Sequence, residues 1–347
     1  MGPTAAKPVK HTNLTDVARR AGVSSMTVSR ALRRPESVSE DTRRRVERAV
    51  AALGYVPNNI AGGLRSRRSR TIACVIPTIA SPVFANVVQG LTDVLYRHDY
   101  RVVLGTSNYS EAEEQRVTAG LLAHRPEAVV LPAGDHRREL GRLLKRVGVP
   151  VVEIWERLEH PVDMNVGFSN FDAGTAIVAH LVERGARRIA FVGMGADEHA
   201  RARARREGYE EAVARLLGQK PIVFDARYSF DGGREALARI LEDDPAIDAV
   251  FCVGDLQAIG LLLDAQARGI AVPGRLMVAG FGDHDLARQL HPGLTTVRVP
   301  ERRIGQIAAE MIVGRLSDSD TGPRAIDVGF EVIARESTAR SATREGG

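Results

Sequence analysis

Near the N-terminus, the stretch Leu14-Thr-Asp-Val-Ala-Arg-Arg-Ala-Gly22-Val-Ser-Ser-Met-Thr-Val-Ser-Arg30 reads as a helix, a tight turn and a second helix. Asn13 is placed to cap the first helix, whose inward face is Leu14, Val17, Ala18 and Ala21, and Gly22 supplies the backbone freedom that ends it. Ser24 caps the second helix, in which Val28, Ala31 and Leu32 face the first while Ser25, Met26, Ser29 and Arg30 face away. A third amphipathic segment starts with Ser39 as its cap and runs through Val46, Ala49, Val50 and Leu53, closing a small three-helix core with arginines outside. In a helix-turn-helix the second helix enters the major groove, so its four outward residues are expected to face DNA bases.

The charge distribution agrees. Residues 1–70 carry 15 of the 48 Lys and Arg residues but only 5 of the 43 Asp and Glu residues, which leaves the rest of the chain net acidic. Such asymmetry suits phosphate neutralisation with counterion release and predicts binding that weakens steeply with salt. The alternative is a solvated basic arm. Ahead of the body, Pro57 starts a helical turn over 58–64 in which Gly62 and Gly63 each cost about 1 kcal/mol relative to alanine. That turn is expected to form only when DNA orders it, with Leu64 placed to wedge into a minor groove; the other reading is a flexible tether.

From residue 71 onward, short apolar strands alternate with helical segments. The candidate strands are 71–76, 101–106, 128–131, 151–154, 188–193, 222–224, 249–253, 276–280, 295–299 and 326–332. Continuous apolar runs such as Ile72-Ala-Cys-Val-Ile76 imply strands covered on both faces, hence α/β doubly wound parallel sheets in two lobes with a cleft between them. The expected organisation is a headpiece at 1–57, a hinge and linker at 58–70, and a body at 71–347. Within the body one lobe takes 71–168 with 299–334 and the other takes 169–298. No apolar run approaches the roughly 20 residues of a membrane span, and the first ten residues have no apolar export signal, so a cytoplasmic protein is expected. Cys74 and Cys252 sit inside apolar strands and read as buried packing residues.

Taken together, Asp16-Val-Ala-Arg-Arg-Ala-Gly-Val-Ser24, Thr27-Val-Ser-Arg30, Gly54-Tyr-Val-Pro-Asn58 and Ala61-Gly-Gly-Leu64 resemble the headpiece of the lactose-repressor (LacI/GalR) family of bacterial transcription factors. Asn165-Val-Gly-Phe-Ser-Asn-Phe-Asp-Ala-Gly174, Arg205-Arg-Glu-Gly-Tyr209 and Pro292-Gly-Leu-Thr-Thr296 resemble its periplasmic-binding-protein-like effector domain. The resemblance implies a homodimer on a palindromic double-stranded operator, controlled by a small-molecule effector. It makes Ser25, Met26 and Arg30 the base readers, Asn13, Ser24, Thr27, Ser29 and Asn58 phosphate holders, and Leu64 the wedge at the operator centre. It also carries Arg205 onto a position that binds ligand oxygens. Where the family has Asn-Asp this chain has Gly254-Asp255, and where it has aromatic-Asp-Asp this chain has Phe281-Gly-Asp283.

Within the family, Ser81-Pro-Val-Phe-Ala85, Val151-Val-Glu153 and Val166-Gly-Phe168 with Asn170-Phe171 are similar to the gluconate-utilisation repressors, which implies a sugar-acid effector. The expected effector residues are Ser81, Asn108, Tyr109, Trp155, Phe168, Arg205, Asp255, Phe281 and Asp283. Either sign of response, induction or corepression, is compatible with the sequence.

Enzyme readings find little footing. Gly193-Met-Gly195 follows a strand, but position 198 is Glu where a dinucleotide fingerprint needs its third glycine. Gly167-Phe-Ser169-Asn-Phe171 lacks the closing glycine of a nucleophile elbow. His199 and the group Asp283, His284 and Asp285 fit no metal-ligand spacing, and no cofactor is expected.

Overall fold

The computed structural model describes residues 12–55, 69–134, 138–195, 199–317, 322 and 324–339. Contacts divide the chain into two compact units, residues 1–69 and 70–347. The first holds helices α1 (Leu14–Ala21), α2 (Ser25–Arg33) and α3 (Glu40–Leu53). Their apolar stripes meet in a core of Val17, Ala18, Ala21, Val28, Ala31, Val46 and Ala49, with Leu14, Leu32, Val50 and Leu53 packed around it.

The caps are the expected ones. Asn13 Oδ1 accepts from the backbone N–H groups of Thr15 (2.9 Å) and Asp16 (3.1 Å), and Asp16 Oδ2 accepts from Asn13 N in return, a reciprocal box at the helix start. Ser24 Oγ accepts from Thr27 N (3.1 Å). Gly22 lies in the left-handed region with φ 65°, and the last carbonyls of α1 at Ala21 and Gly22 accept from the Arg45 guanidinium. That cation at a helix C-terminus ties α1 to α3 and complements the helix dipole.

The second unit contains two six-stranded sheets. The first orders its strands β11 (Ala325–Asp327), β5 (Met164–Gly167), β4 (Val151–Ile154), β3 (Ala128–Pro132), β1 (Thr71–Ile76) and β2 (Arg101–Thr106), all pairing in parallel. The second orders β12 (Glu331–Ile333), β10 (Thr295–Arg298), β9 (Met277–Phe281), β8 (Ala249–Cys252), β6 (Ile189–Gly193) and β7 (Ile222–Asp225), parallel except for the antiparallel β10–β12 edge. The first lobe carries α4 (Pro82–Leu95), α5 (Glu111–Leu122), α6 (Arg138–Val147) and α11 (Glu301–Leu316); the second carries α7 (Asn170–Glu183), α8 (Ala200–Leu217), α9 (Phe230–Asp243) and α10 (Asp255–Ala267).

Two strand readings change. The run 326–332 is two strands in different sheets, because Gly329, at φ 65°, turns the chain and its N–H bonds to Asp327 Oδ1. Residues 331–338 therefore lie with the second lobe, contrary to the expected boundary at 334: Ser337 donates to Val278 O and accepts from Thr295 N. Strand β5, which the apolar pattern does not reveal, holds a fully buried Asn165 whose amide bonds to the carbonyls of Glu153 and Glu156. The chain crosses between lobes three times, after β5, after β10 and after β11.

Adjacent helices approach each other through paired glycines. A β-carbon on Gly208 of α8 would lie 2.1 Å from Phe171 O of α7, and one on Gly174 of α7 would lie 2.3 Å from Arg205 O of α8. Gly90 with Gly305 and Gly233 with Gly260 do the same for α4 against α11 and α9 against α10. Both partners in each contact are backbone, so neither side has a flexible group that can yield. Gly208→Ala is expected to destabilise the protein by about 1–3 kcal/mol, lowering Tm by several degrees in calorimetry. Gly120→Ala is the control, since it sits in α5 with nothing near its added β-carbon and should leave Tm equal or higher.

Candidate nucleic-acid interface and effector cleft

On the headpiece, α2 turns Val28 and Ala31 into the core and leaves Met26 60% exposed, with Arg30 exposed beside it. The Arg30 side chain makes no hydrogen bond or ion pair among the described residues, whereas Arg43, Arg44 and Arg45 of α3 pair with Glu47, Glu40 and Asp41 one turn away. Ser25, Thr27 and Ser29 are half-buried on the same helix, and Ser24 Oγ lies 2.8 Å from Thr27 Oγ1. Asn13 and Ser24 thus spend side-chain oxygens on capping, which fixes the helix ends. Asn58 and Leu64 lie outside the described residues.

In the body, the C-terminal ends of the strands of both sheets open onto a cleft. An inner cavity of about 60 Å³ is walled by Ser81, Tyr109, Trp155, Phe168, Arg205 and Phe281, all six expected from the sequence. A wider cavity of about 720 Å³ holds Asn108 in its wall and shares Tyr109, Met194, His199, Arg201 and Tyr228 with the inner one. The aromatic wall is continuous: Trp155 meets Phe84 and Phe168 edge-on at 5.5 and 6.5 Å, and Phe168 stacks on Phe281 at 6.1 Å. The Arg205 guanidinium sits over the Phe281 ring at 3.9 Å and donates to Val253 O. Asn108, Tyr109, Trp155 and Asp283 all have positive φ, so backbone strain gathers around the cleft, where the surrounding packing must hold it.

Two polar atoms of the inner cavity are unmatched among the described residues. Trp155 Nε1 and Asn170 Oδ1 are buried with no hydrogen-bond partner, although the Asn170 amide nitrogen donates to Trp155 O and Glu156 Oε2. Burial draws Arg205 down to about 10, so it still carries its charge at neutral pH. Burial first, then the neighbouring Arg201, Arg205 and Arg203, holds His199 well below its ordinary value. Its Nδ1 accordingly accepts from Ala202 N as the cap of α8, while its ring stacks on Tyr109 across the cleft at 5.0 Å. Two carboxyls near this cluster are shifted upward: burial raises Glu156, and burial raises Glu301 to about 7.

Two expected effector residues stand elsewhere. Asp255 is fully buried outside the cavity wall, accepting from Thr296 Oγ1 (2.6 Å) and His284 N (2.8 Å), where it ties the β9–β10 connection to the start of α10. Asp283 is held between Arg335 (2.5 Å) and Arg298 (2.6 Å), whose hydrogen bonds lower its pKa against the opposing effect of burial. The glycine before Asp255 has a direct cause: a β-carbon on Gly254 would lie 2.5 Å from the Tyr228 ring.

Residues 13–58 match bacterial regulatory proteins of the lacI family, and residues 178–338 match the periplasmic binding protein-like domain. The HTH-type transcriptional regulator GntR of Pseudomonas aeruginosa is 35% identical over 94% of this chain and 95% of its own length. GntR of Escherichia coli K12 is 33% identical over 91% and 96%. The chain belongs to the lacI family. It is a DNA-binding transcriptional regulator. A crystal structure of a LacI-family transcriptional regulator from Silicibacter pomeroyi superposes with TM-score 0.87 at 34% identity, covering 95% of this chain and all of the other. No helix among the described residues is long and apolar enough to cross a membrane, and those residues contain no cluster suited to a metal ion.

For this lacI-family member, sequence reasoning missed Asn170, Met194, His199, Arg201, Tyr228 and Glu301 in the cleft walls. Arg201 had a readable signal, because it lies four residues before Arg205 and shares the helix face of Gly208, Tyr209 and Ala212. Glu301 had none, since it reaches the cavity only through the crossover after β10. Its raised pKa has a consequence for stability. From an unfolded value near 4.5 to a folded value of about 7, the unfolded chain loses its proton first, so this group erodes stability as pH rises through that window. Glu301→Gln removes the titration. The variant should therefore gain Tm relative to wild type as pH goes from 4.5 to 7, as read by thermal melts across pH.

Proposed function

We propose that this regulator is a homodimeric repressor of a sugar-acid catabolic operon, released from a palindromic operator when a gluconate-type acid fills the cleft. The observation that carries this reading is Arg205. It is a charged guanidinium laid on an aromatic face inside a cavity, with no carboxylate paired to it among the described residues. A buried cation without a counter-charge is costly, and a ligand carboxylate supplies the missing partner. Trp155 Nε1 and Asn170 Oδ1 then offer one donor and one acceptor to hydroxyl groups, and the aromatic wall offers a surface for the carbon chain. The resemblance to gluconate-utilisation repressors points the same way.

On DNA, Ser25, Met26 and Arg30 are proposed to read bases, with Arg30 placed for a bidentate contact to guanine and Met26 for a thymine methyl group. Asn13, Ser24, Thr27, Ser29 and Asn58 are proposed to hold phosphates, and Leu64 to wedge the operator centre. The effector acts only through its differential affinity for the DNA-bound and free states. The chain is proposed to work in the cytoplasm as a regulator without catalytic turnover.

Operator gel shifts test both halves. D-gluconate should weaken wild-type binding, and Arg205→Met should abolish that response; if no sugar acid or sugar phosphate changes operator affinity, the effector assignment fails. Arg30→Met should cost about 1–3 kcal/mol on the cognate operator and relax specificity at one base pair, with little loss on random DNA.

A further inference from the structure

We propose that Arg201 is a second anion-holding residue of the cleft, and that the effector it fits is a short polyol chain with an ionised group at each end. This rests on the reading of the cleft as a sugar-acid site and narrows its ligand class.

Arg201 and Arg205 lie one turn apart on α8, and both line the inner cavity. Arg201 is 8% exposed, and its one hydrogen bond is from Nη1 to Ala133 O (2.9 Å), across the cleft on the first lobe. A guanidinium has five N–H donors, so most of its capacity is unused. No carboxylate forms an ion pair with either arginine among the described residues, while Arg206, next in the sequence, is paired with Glu210. Glu111 and Glu114 line the wider cavity, and Arg227 there is already matched by Glu235.

Arg201 lines both cavities. The wall shared by the two includes Arg201 together with Tyr109, His199, Met194 and Tyr228, so a six-carbon chain that runs from Arg205 toward the wider space passes it. The far end of such a chain meets a second buried cation. The start of α8 adds its own positive potential there, with a neutral His199 as cap. A mono-anion neutralises one of the two charges, whereas a phosphorylated or dicarboxylic sugar acid neutralises both.

Calorimetric titration of the full-length chain with D-glucose, D-gluconate, D-gluconate 6-phosphate and D-glucarate tests the inference. At least one of the two acids ionised at both ends should bind about tenfold more tightly than gluconate, the scale of one added charge-assisted hydrogen bond. The preferred one identifies the second group as phosphate or carboxylate. Arg201→Gln should collapse that ratio to near one, and Arg201→Lys, which keeps the charge, should retain part of it. Equal binding of gluconate and both doubly ended acids by wild type overturns the inference and leaves the sugar-acid reading standing, as does a ratio that survives Arg201→Gln. Binding of none of the acids overturns the sugar-acid reading itself, and this inference with it.

Discussion

Helix α8 can lie against α7 only because neither Gly174 nor Gly208 carries a β-carbon, and the geometry of the cleft depends on that contact. The sequence Arg205-Arg-Glu-Gly-Tyr209 divides the labour within a little over one turn. Gly208 admits the neighbouring backbone, and the Tyr209 hydroxyl accepts from Ile222 N and shares its one proton between the carbonyls of Ile189 and Ile222, locking the helix to β6 and β7. With both anchors in place, Arg205 has little choice of direction, and Arg201 follows one turn earlier. Closely packed backbones transmit position without the slack that side-chain contacts allow.

What those anchors position is a charge imbalance. The cleft holds two guanidiniums that meet carbonyl oxygens and an aromatic face but form no ion pair with a carboxylate among the described residues. Around the inner cavity, Asp283 is consumed by Arg298 and Arg335, Asp255 by Thr296 and a backbone N–H, and Glu156 and Glu301 are raised by burial, while Glu111 and Glu114 line only the wider space. Glycine at 254 and 282 further strips side chains from that side. The arrangement is expensive for an empty protein and favourable for an anionic ligand, as expected where stability yields to recognition. Strained backbone at Asn108, Tyr109 and Trp155 belongs to the same pattern.

Much of this was legible beforehand. Caps at Asn13, Ser24 and Ser39 announce helix starts because their side chains satisfy local N–H groups, a bond decided within three residues. Buried parallel strands such as β1 and β3 announce themselves because both faces must be apolar. Strand β5 did not, since its Asn165 is buried by virtue of distant carbonyl partners. The division of 326–332 between two sheets was equally hidden, because the partners of each half lie in segments more than thirty residues away. Arg201 was lost among six basic-rich positions that resemble a solvated helix face, although its spacing from Arg205 and Gly208 was visible.

The sequence by itself determined the helix-turn-helix head, the outward placement of Met26 and Arg30, the α/β character of the body and the aromatic and arginine content of the cleft. All of these follow from periodicity, capping and charge, which act over a few residues. Only the tertiary structure decided that Asp255 and Asp283 support the cleft from behind, that the last strand joins the second lobe, and that Arg201 and Glu301 reach the cavity. Those outcomes depend on which distant backbone satisfies which buried polar group, and no local pattern encodes the identity of such a partner.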